Sequence, residues 1–193
     1  MRLKSFITEK RRNDVIVVDV QPSYKSYIDF SMLEFCEFLN GCNNILYFYN
    51  GMELCLDNES QVRRFLYENG FDKWKMKDIQ FVDKTYGFLR GWMDMGIDVG
   101  IIKKAIRYMM SKRENDSRDI PYEEWLSVIP DLGDYEGIDS EPIYLPSFSM
   151  AQLKSFQGSY LVGGGRNECL KEVEILLSTF NIHVIKVERF IYG

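Results

Sequence analysis

The chain is short of the residues that would make some chemistries easy to recognise. It has one histidine, His183, among 193 residues, so a histidine-rich zinc centre is excluded. Its four cysteines stand far apart at 36, 42, 55 and 169, none at CxxC spacing. That distribution argues against a disulfide framework and for a reducing compartment. No apolar run approaches the length needed to cross a bilayer, and the first residues lack the apolar stretch of a secretion signal. A cytoplasmic protein without a membrane partner is therefore expected. Positive charge is not in excess either: the net charge is -5, which gives nucleic-acid binding no electrostatic support. The basic start, with Arg2, Lys4, Lys10, Arg11 and Arg12, reads as a solvated or subunit-contacting arm.

The chain is instead rich in apolar and ring side chains. Its apolar fraction is 46%, with 13 Phe, 12 Tyr and 3 Trp, enough to pack one domain of this length. Val15–Val18 is apolar at every position, as strands of a covered parallel sheet tend to be. Ser31 and Glu34 offer a capping box to a helix presenting Leu33, Cys36 and either Phe35 or Leu39, which stops near Gly41. Ile45–Tyr49 reads as a second strand, 59–68 as a helix and Ile79–Val82 as a third strand. Asp98 can cap a helix over 99–112 that buries Val99, Ile102, Ile106 and Met109. The polar stretch 113–141 reads as an irregular excursion with at most a turn at 122–128. A long connection of that kind suits a lid or partner surface. A short strand at Ile143–Leu145 and a helix capped by Ser149 and Gln152 follow. The last unit is strand 160–162, a glycine turn, helix 168–179 and strand Ile182–Val187. Alternating strands and helices predict one three-layer α/β domain with a mainly parallel, Rossmann-like sheet over 1–193.

Two chemically interesting groups fall at strand ends. Asp19 leaves the carboxyl end of the first strand, where ligands of doubly wound sheets gather, with Gln21 two residues on. It is a candidate base or metal ligand, or a strand terminus accepting a loop hydrogen bond. Gln21 suits orienting a carboxylate or a substrate amide. Cys169 opens the helix after Gly163-Gly164-Gly165-Arg166-Asn167-Glu168. A thiol in a first helical turn can be held as a thiolate by unpaired N–H groups, and the turn's N–H groups can cradle an oxyanion. Gly164, Gly165, Arg166 and Glu168 are therefore oxyanion or substrate-binding candidates. A small buried structural cysteine is the competing account. The glycine turn lacks G-x-G-x-x-G spacing and a Walker lysine, so it is not a nucleotide fingerprint. His183, inside the last strand, and Cys36 and Cys42 read as structural, and Cys55 has only a slightly better claim. Phe81, Tyr86, Phe88 and Trp92 suit a core or a ring-lined pocket.

Val15-Ile16-Val17-Val18-Asp19-Val20-Gln21 resembles the opening strand and Asp-x-Gln motif of isochorismatase-like cysteine hydrolases. The stretch from Tyr160 to Leu170 resembles their strand, glycine turn and nucleophile-bearing helix, including the six-residue step from Gly163 to Cys169. The resemblance covers 15–50 and 148–190. It implies Cys169 as nucleophile, Asp19 as proton acceptor, a lysine partner, and hydrolysis of a small-molecule amide, ester or related substrate without a cofactor. The family lysine is expected a few tens of residues before the cysteine, yet 113–149 contains none. Lys84, Lys103 or Lys112 would serve if the fold brought one inward. Gly164-Gly165-Arg166 also departs from the family's apolar, small and threonine sequence.

Two other readings stand beside it. A strand ending in aspartate and a late glycine turn also resemble NYN/PIN nucleases, which implies Asp19, Asp94 or Asp98 around Mg²⁺ or Mn²⁺ and a nucleic-acid substrate. A catalytically silent interaction scaffold is the third reading, and the aromatic content leaves room for a homo-oligomer.

Overall fold

The computed structural model describes residues 13–51, 57–84, 90–113, 122–135 and 148–193. Among the described residues five parallel strands form one sheet: β1 (Val15–Val18), β2 (Ile45–Tyr49), β3 (Ile79–Asp83), β4 (Tyr160–Gly163) and β5 (Ile185–Lys186). Their order across the sheet is β3-β2-β1-β4-β5. The chain thus builds outward from β1 to β3, then returns to the other side of β1. The reversal leaves a crevice above the carboxyl ends of β1 and β4, where open α/β sheets bind ligands.

Alternation along the strands sorts the core into two layers. Ile16, Val18, Leu46, Phe48 and Leu161 face one side. They pack with residues of α4 (Val99–Arg113), α5 (Tyr122–Val128), α6 (Met150–Ser155) and α7 (Cys169–Thr179). Val15, Val17, Ile45, Tyr47 and Val162 face the other side, under α1 (Met32–Asn40) and α2 (Glu59–Glu68). A short α3 (Arg90–Asp94) adds buried Trp92 to the first layer. The architecture is the three-layer α/β arrangement expected, with a Rossmann-like parallel sheet.

Helix starts follow the sequence closely. The Ser31 hydroxyl accepts from the Glu34 N–H, and Ser149 and Gln152 complete a reciprocal box on α6. Asp98 accepts from the Gly100 N–H at 2.8 Å at the start of α4. Each such cap stabilises its helix by about 1 kcal/mol.

Several local expectations require correction. In α1 the buried residues are Phe35, Cys36 and Leu39, while Leu33 lies exposed, because the stripe facing the sheet is offset from it. Val99 is likewise exposed at the first turn of α4. The stretch after 113 is not merely irregular. It contains α5 and a 3-10 turn at Pro130–Asp134, which bury Trp125 and Leu132 in the core. Trp125 meets Trp92 edge to face at 5.7 Å, and that apolar anchorage outweighs the surrounding polar sequence. The final strand is only Ile185–Lys186, and His183 lies before it, exposed, with its N–H donating to Gln157. Cys55, Tyr86, Phe88, the Ile143–Leu145 strand and the side chain of Lys112 fall outside the described residues. No helix among the described residues is long and apolar enough to cross a membrane.

Candidate functional site

The crevice above β1 and β4 opens into a cavity of about 490 Å³. Three elements supply its floor. Asp19 follows β1, Lys84 follows β3, and Cys169 begins α7 after β4. Strand β2 separates β1 from β3, so the lysine side chain reaches over it to the aspartate.

Asp19 is placed by a break in strand alternation. Its φ is 48°, a left-handed value that non-glycine residues seldom adopt and that costs about 1–2 kcal/mol. Val18 and Val20 consequently pack in opposite layers, although two residues apart they would share a face in an extended strand. Two hydrogen bonds hold this conformation. The Asp19 N–H donates to the Phe48 carbonyl at 2.9 Å, and the Tyr192 hydroxyl donates to the Asp19 carbonyl at 3.0 Å. The turn across the crevice is equally constrained. A Cβ at Gly163, whose φ is 78°, would lie 2.3 Å from the Val18 carbonyl oxygen. Gly164 similarly admits the backbone of Leu170 to close range.

The side chains then form a buried charge cluster. Lys84 Nζ lies 2.5 Å from Asp19 Oδ2 and 2.9 Å from Glu172 Oε2. Glu172 stands one turn along α7 from Cys169 and is nearly as buried as Asp19. Burial raises the Asp19 carboxyl above its usual range; Lys84 opposes that rise and Glu172 adds to it. Burial would lower Lys84, but Asp19 and Glu172 together outweigh it and hold the ammonium firmly charged. The thiol and the Asp19 carboxyl lie close enough that each shifts the other's proton affinity. Asp19 Oδ1 is otherwise buried without a partner among the described residues.

The thiol differs from the activated thiolate expected of a helix start. Burial first, then the neighbouring Asp19 charge, pushes Cys169 up to about 11. The Gly165 N–H, donating to Sγ at 3.4 Å, and the Lys84 ammonium only partly oppose this. Cys169 is half-buried and lines the cavity, whereas Cys36 and Cys42 are fully buried; Cys36 donates to the Leu66 carbonyl and Cys42 to that of Phe38.

The glycine turn also distributes its N–H groups differently from expectation. Gly165 points at the sulfur, Arg166 donates to the Tyr192 carbonyl, and Glu168 donates to the Gly165 carbonyl. The N–H groups of Asn167 and Cys169 have no acceptor among the described residues, so they are the donors left for an oxyanion. Gly164 is a packing residue outside the cavity lining. Arg166 and Glu168 do line it, with Arg166 paired to Glu188 at 2.6 Å.

Gln21 orients a carboxylate, as its position suggested, but that of Asp57 and outside the cavity lining. Fully buried, it donates to the Asn50 carbonyl and to Asp57 Oδ2, and accepts from the Asn50 N–H. The Ser23 N–H also donates to Asp57. Gln21 therefore pins the loop after β1, and that loop carries Tyr24 to the cavity mouth.

The acidic alternative does not assemble. Asp94 lines the cavity but is paired with Arg90 at 2.9 Å, and Asp98 is a helix cap outside the lining. The lysine ammonium occupies the space between Asp19 and Glu172 that a divalent ion would require. Among the described residues no three His, Cys, Asp or Glu side chains are grouped to hold a metal. Lys103 is also outside the lining, on α4. Trp92 is core and Phe81 packs on Tyr47, so neither belongs to a ring-lined pocket.

Sequence reasoning missed Glu172 and Tyr192. The i, i+3 step from Cys169 was a readable signal for Glu172, while nothing local announced Tyr192. Comparison of the chain with protein-family models, characterised proteins and solved structures gives no match, so the case for a function rests on this cavity.

Proposed function

We propose that the chain is a cysteine-dependent hydrolase of a small amide, ester or related acyl compound, diverged from the isochorismatase-like hydrolases. The observation that carries this reading is the meeting of the Cys169 thiol, the Asp19 carboxyl and the Lys84 ammonium in one open cavity.

Asp19 is the proton acceptor. Burial raises its proton affinity above that of an ordinary exposed aspartate, which favours taking up the proton of a neighbouring thiol. As the Cys169 proton moves to Asp19, the sulfur forms a bond to the substrate carbonyl carbon, and the carbonyl electron pair moves to oxygen. The unpartnered N–H groups of Asn167 and Cys169, both on the cavity lining, would stabilise that oxyanion. Collapse re-forms the carbonyl and breaks the bond to the amine or alcohol, which leaves with the proton from Asp19. Water then attacks the thioester and gives a proton to Asp19. Cleavage of the carbon–sulfur bond releases the acid, and the proton returns to sulfur. Lys84 stays protonated, keeping Asp19 oriented and its charge compensated.

The test is a panel of small amides and activated esters, with mass spectrometry of the protein during turnover. Hydrolysis accompanied by an acyl adduct on Cys169, lost in Cys169→Ser and slowed strongly in Asp19→Asn, supports the reading. Unchanged hydrolysis in both variants refutes it. RNA cleavage that survives Cys169→Ser and stops on chelation would select the nuclease instead. A native protein that neither turns over nor labels at Cys169 would be an interaction scaffold.

A further inference from the structure

The charge around the cavity narrows the substrate class, an inference that rests on the cysteine-hydrolase reading. Every cation of the described lining is already matched. Lys84 lies between Asp19 and Glu172. Arg90 is 2.9 Å from Asp94 and 3.7 Å from Glu168. Arg166 holds Glu188. Among the described residues, the lining carboxylates Asp19, Asp94, Glu168 and Glu172 outnumber its cations, and an anionic ligand would have to displace an existing partner.

Two independent features invite the opposite charge. Asp19 Oδ1 is a buried acceptor at the cavity floor without a partner among the described residues. At the mouth, Tyr24 and Tyr27 meet edge to face at 6.4 Å, and Tyr27 is 65% exposed. Electron-rich ring faces attract ammonium and guanidinium groups. The chain's net charge of -5 adds a long-range bias in the same direction.

We propose that the cavity selects a small acyl compound carrying a positive charge, an ammonium or guanidinium group, near its scissile carbonyl. A bound cation would also offset the negative field around the sulfur. The thiol, which burial and Asp19 favour in its protonated form, would lose its proton more readily once substrate is in place. The charge requirement thereby couples recognition to activation of the nucleophile.

The experiment measures modification of Cys169 in the full chain by three methanethiosulfonates: trimethylammonioethyl, methyl and sulfonatoethyl. Rates are read by peptide mass spectrometry and normalised to those of a free thiol. The cationic reagent should modify Cys169 at least about tenfold faster than the anionic one, with the neutral reagent between them. The ratio should shrink in the Asp94→Asn/Glu168→Gln double variant and at high salt. A ratio at or below one, or one untouched by the double variant, overturns the charge inference while leaving the cysteine reading intact. If no reagent reaches Cys169 until the protein is unfolded, the cysteine reading fails, and this inference with it.

Discussion

The two ends of the parallel sheet are built from similar residues but resolve their polar groups in opposite ways. At the amino end, Asp14 accepts from the Asn44 side-chain amide at 2.8 Å, and its carbonyl accepts from the Tyr160 N–H. Lys75 donates to the carbonyls of Asn40 and Cys42. Neutral partners close that end without concentrating charge. At the carboxyl end, a second aspartate of the same strand shares a buried lysine with a glutamate, beside a thiol. The left-handed Asp19 and the close-packed Gly163 lie there too. Buried charge and backbone strain are both destabilising, and the proposed chemistry would account for their meeting at Asp19, beside an open cavity.

The sharpest way to break this contrast is to remove the sulfur at each position. Cys169→Ser should lower hydrolysis by at least about 10³-fold, whereas Cys36→Ser should change kcat/KM by less than about twofold. Steady-state assays on the two variants check this, and equal losses would erase the distinction.

Lysine substitutions come next. Lys84→Met leaves two buried carboxylates facing each other and should destabilise the fold by about 3–5 kcal/mol, as read by urea denaturation. Lys75→Met removes hydrogen bonds to carbonyl groups only, so a loss of about 1–2 kcal/mol is expected, with activity preserved.

Glycine positions sharpen the comparison further. Gly163→Ala adds a severe clash to a left-handed backbone and should cost about 2–4 kcal/mol. Gly158 precedes β4 at the amino end, also with positive φ, but nothing lies within 4 Å of its added Cβ. There alanine should cost only about 1 kcal/mol. Thermal melts of the pair measure the difference.

The smallest effect concerns pH. Asp19 must be unprotonated to accept the thiol proton, and its proton affinity is raised, so activity should fall on acidification at a pH above the ordinary aspartate range. Glu172 contributes to that rise. Glu172→Gln should therefore move the acid limb of the kcat/KM profile to lower pH, with a loss of only a few-fold at neutral pH. Asp14→Asn, at the other end, should leave the limb where it is.

Most of the fold was legible because burial imposes periodicity on neighbouring residues. Val15–Val18 and Ile45–Tyr49 stand where their apolar runs put them, and Ser31, Asp98 and Ser149 cap the helices that follow. Errors arose where long-range contact prevailed, as at Trp125, whose ring is buried against Trp92 within a polar stretch. The site was legible in part. Asp19 and Cys169 fall at strand and helix ends and line one cavity, but Gln21 turns away to hold Asp57 and Asn50.

The order of residues determined by itself where the central strands and the capped helices run, and that an acid and a thiol emerge beyond two strand ends. Tertiary structure alone decided that Lys84 crosses β2 to reach Asp19, that Glu172 joins them, and that the thiol is held in its neutral form. The physical reason is range. Periodicity and capping act within a few residues, whereas proton affinity depends on burial and on charges that only folding brings within a few ångströms of each other.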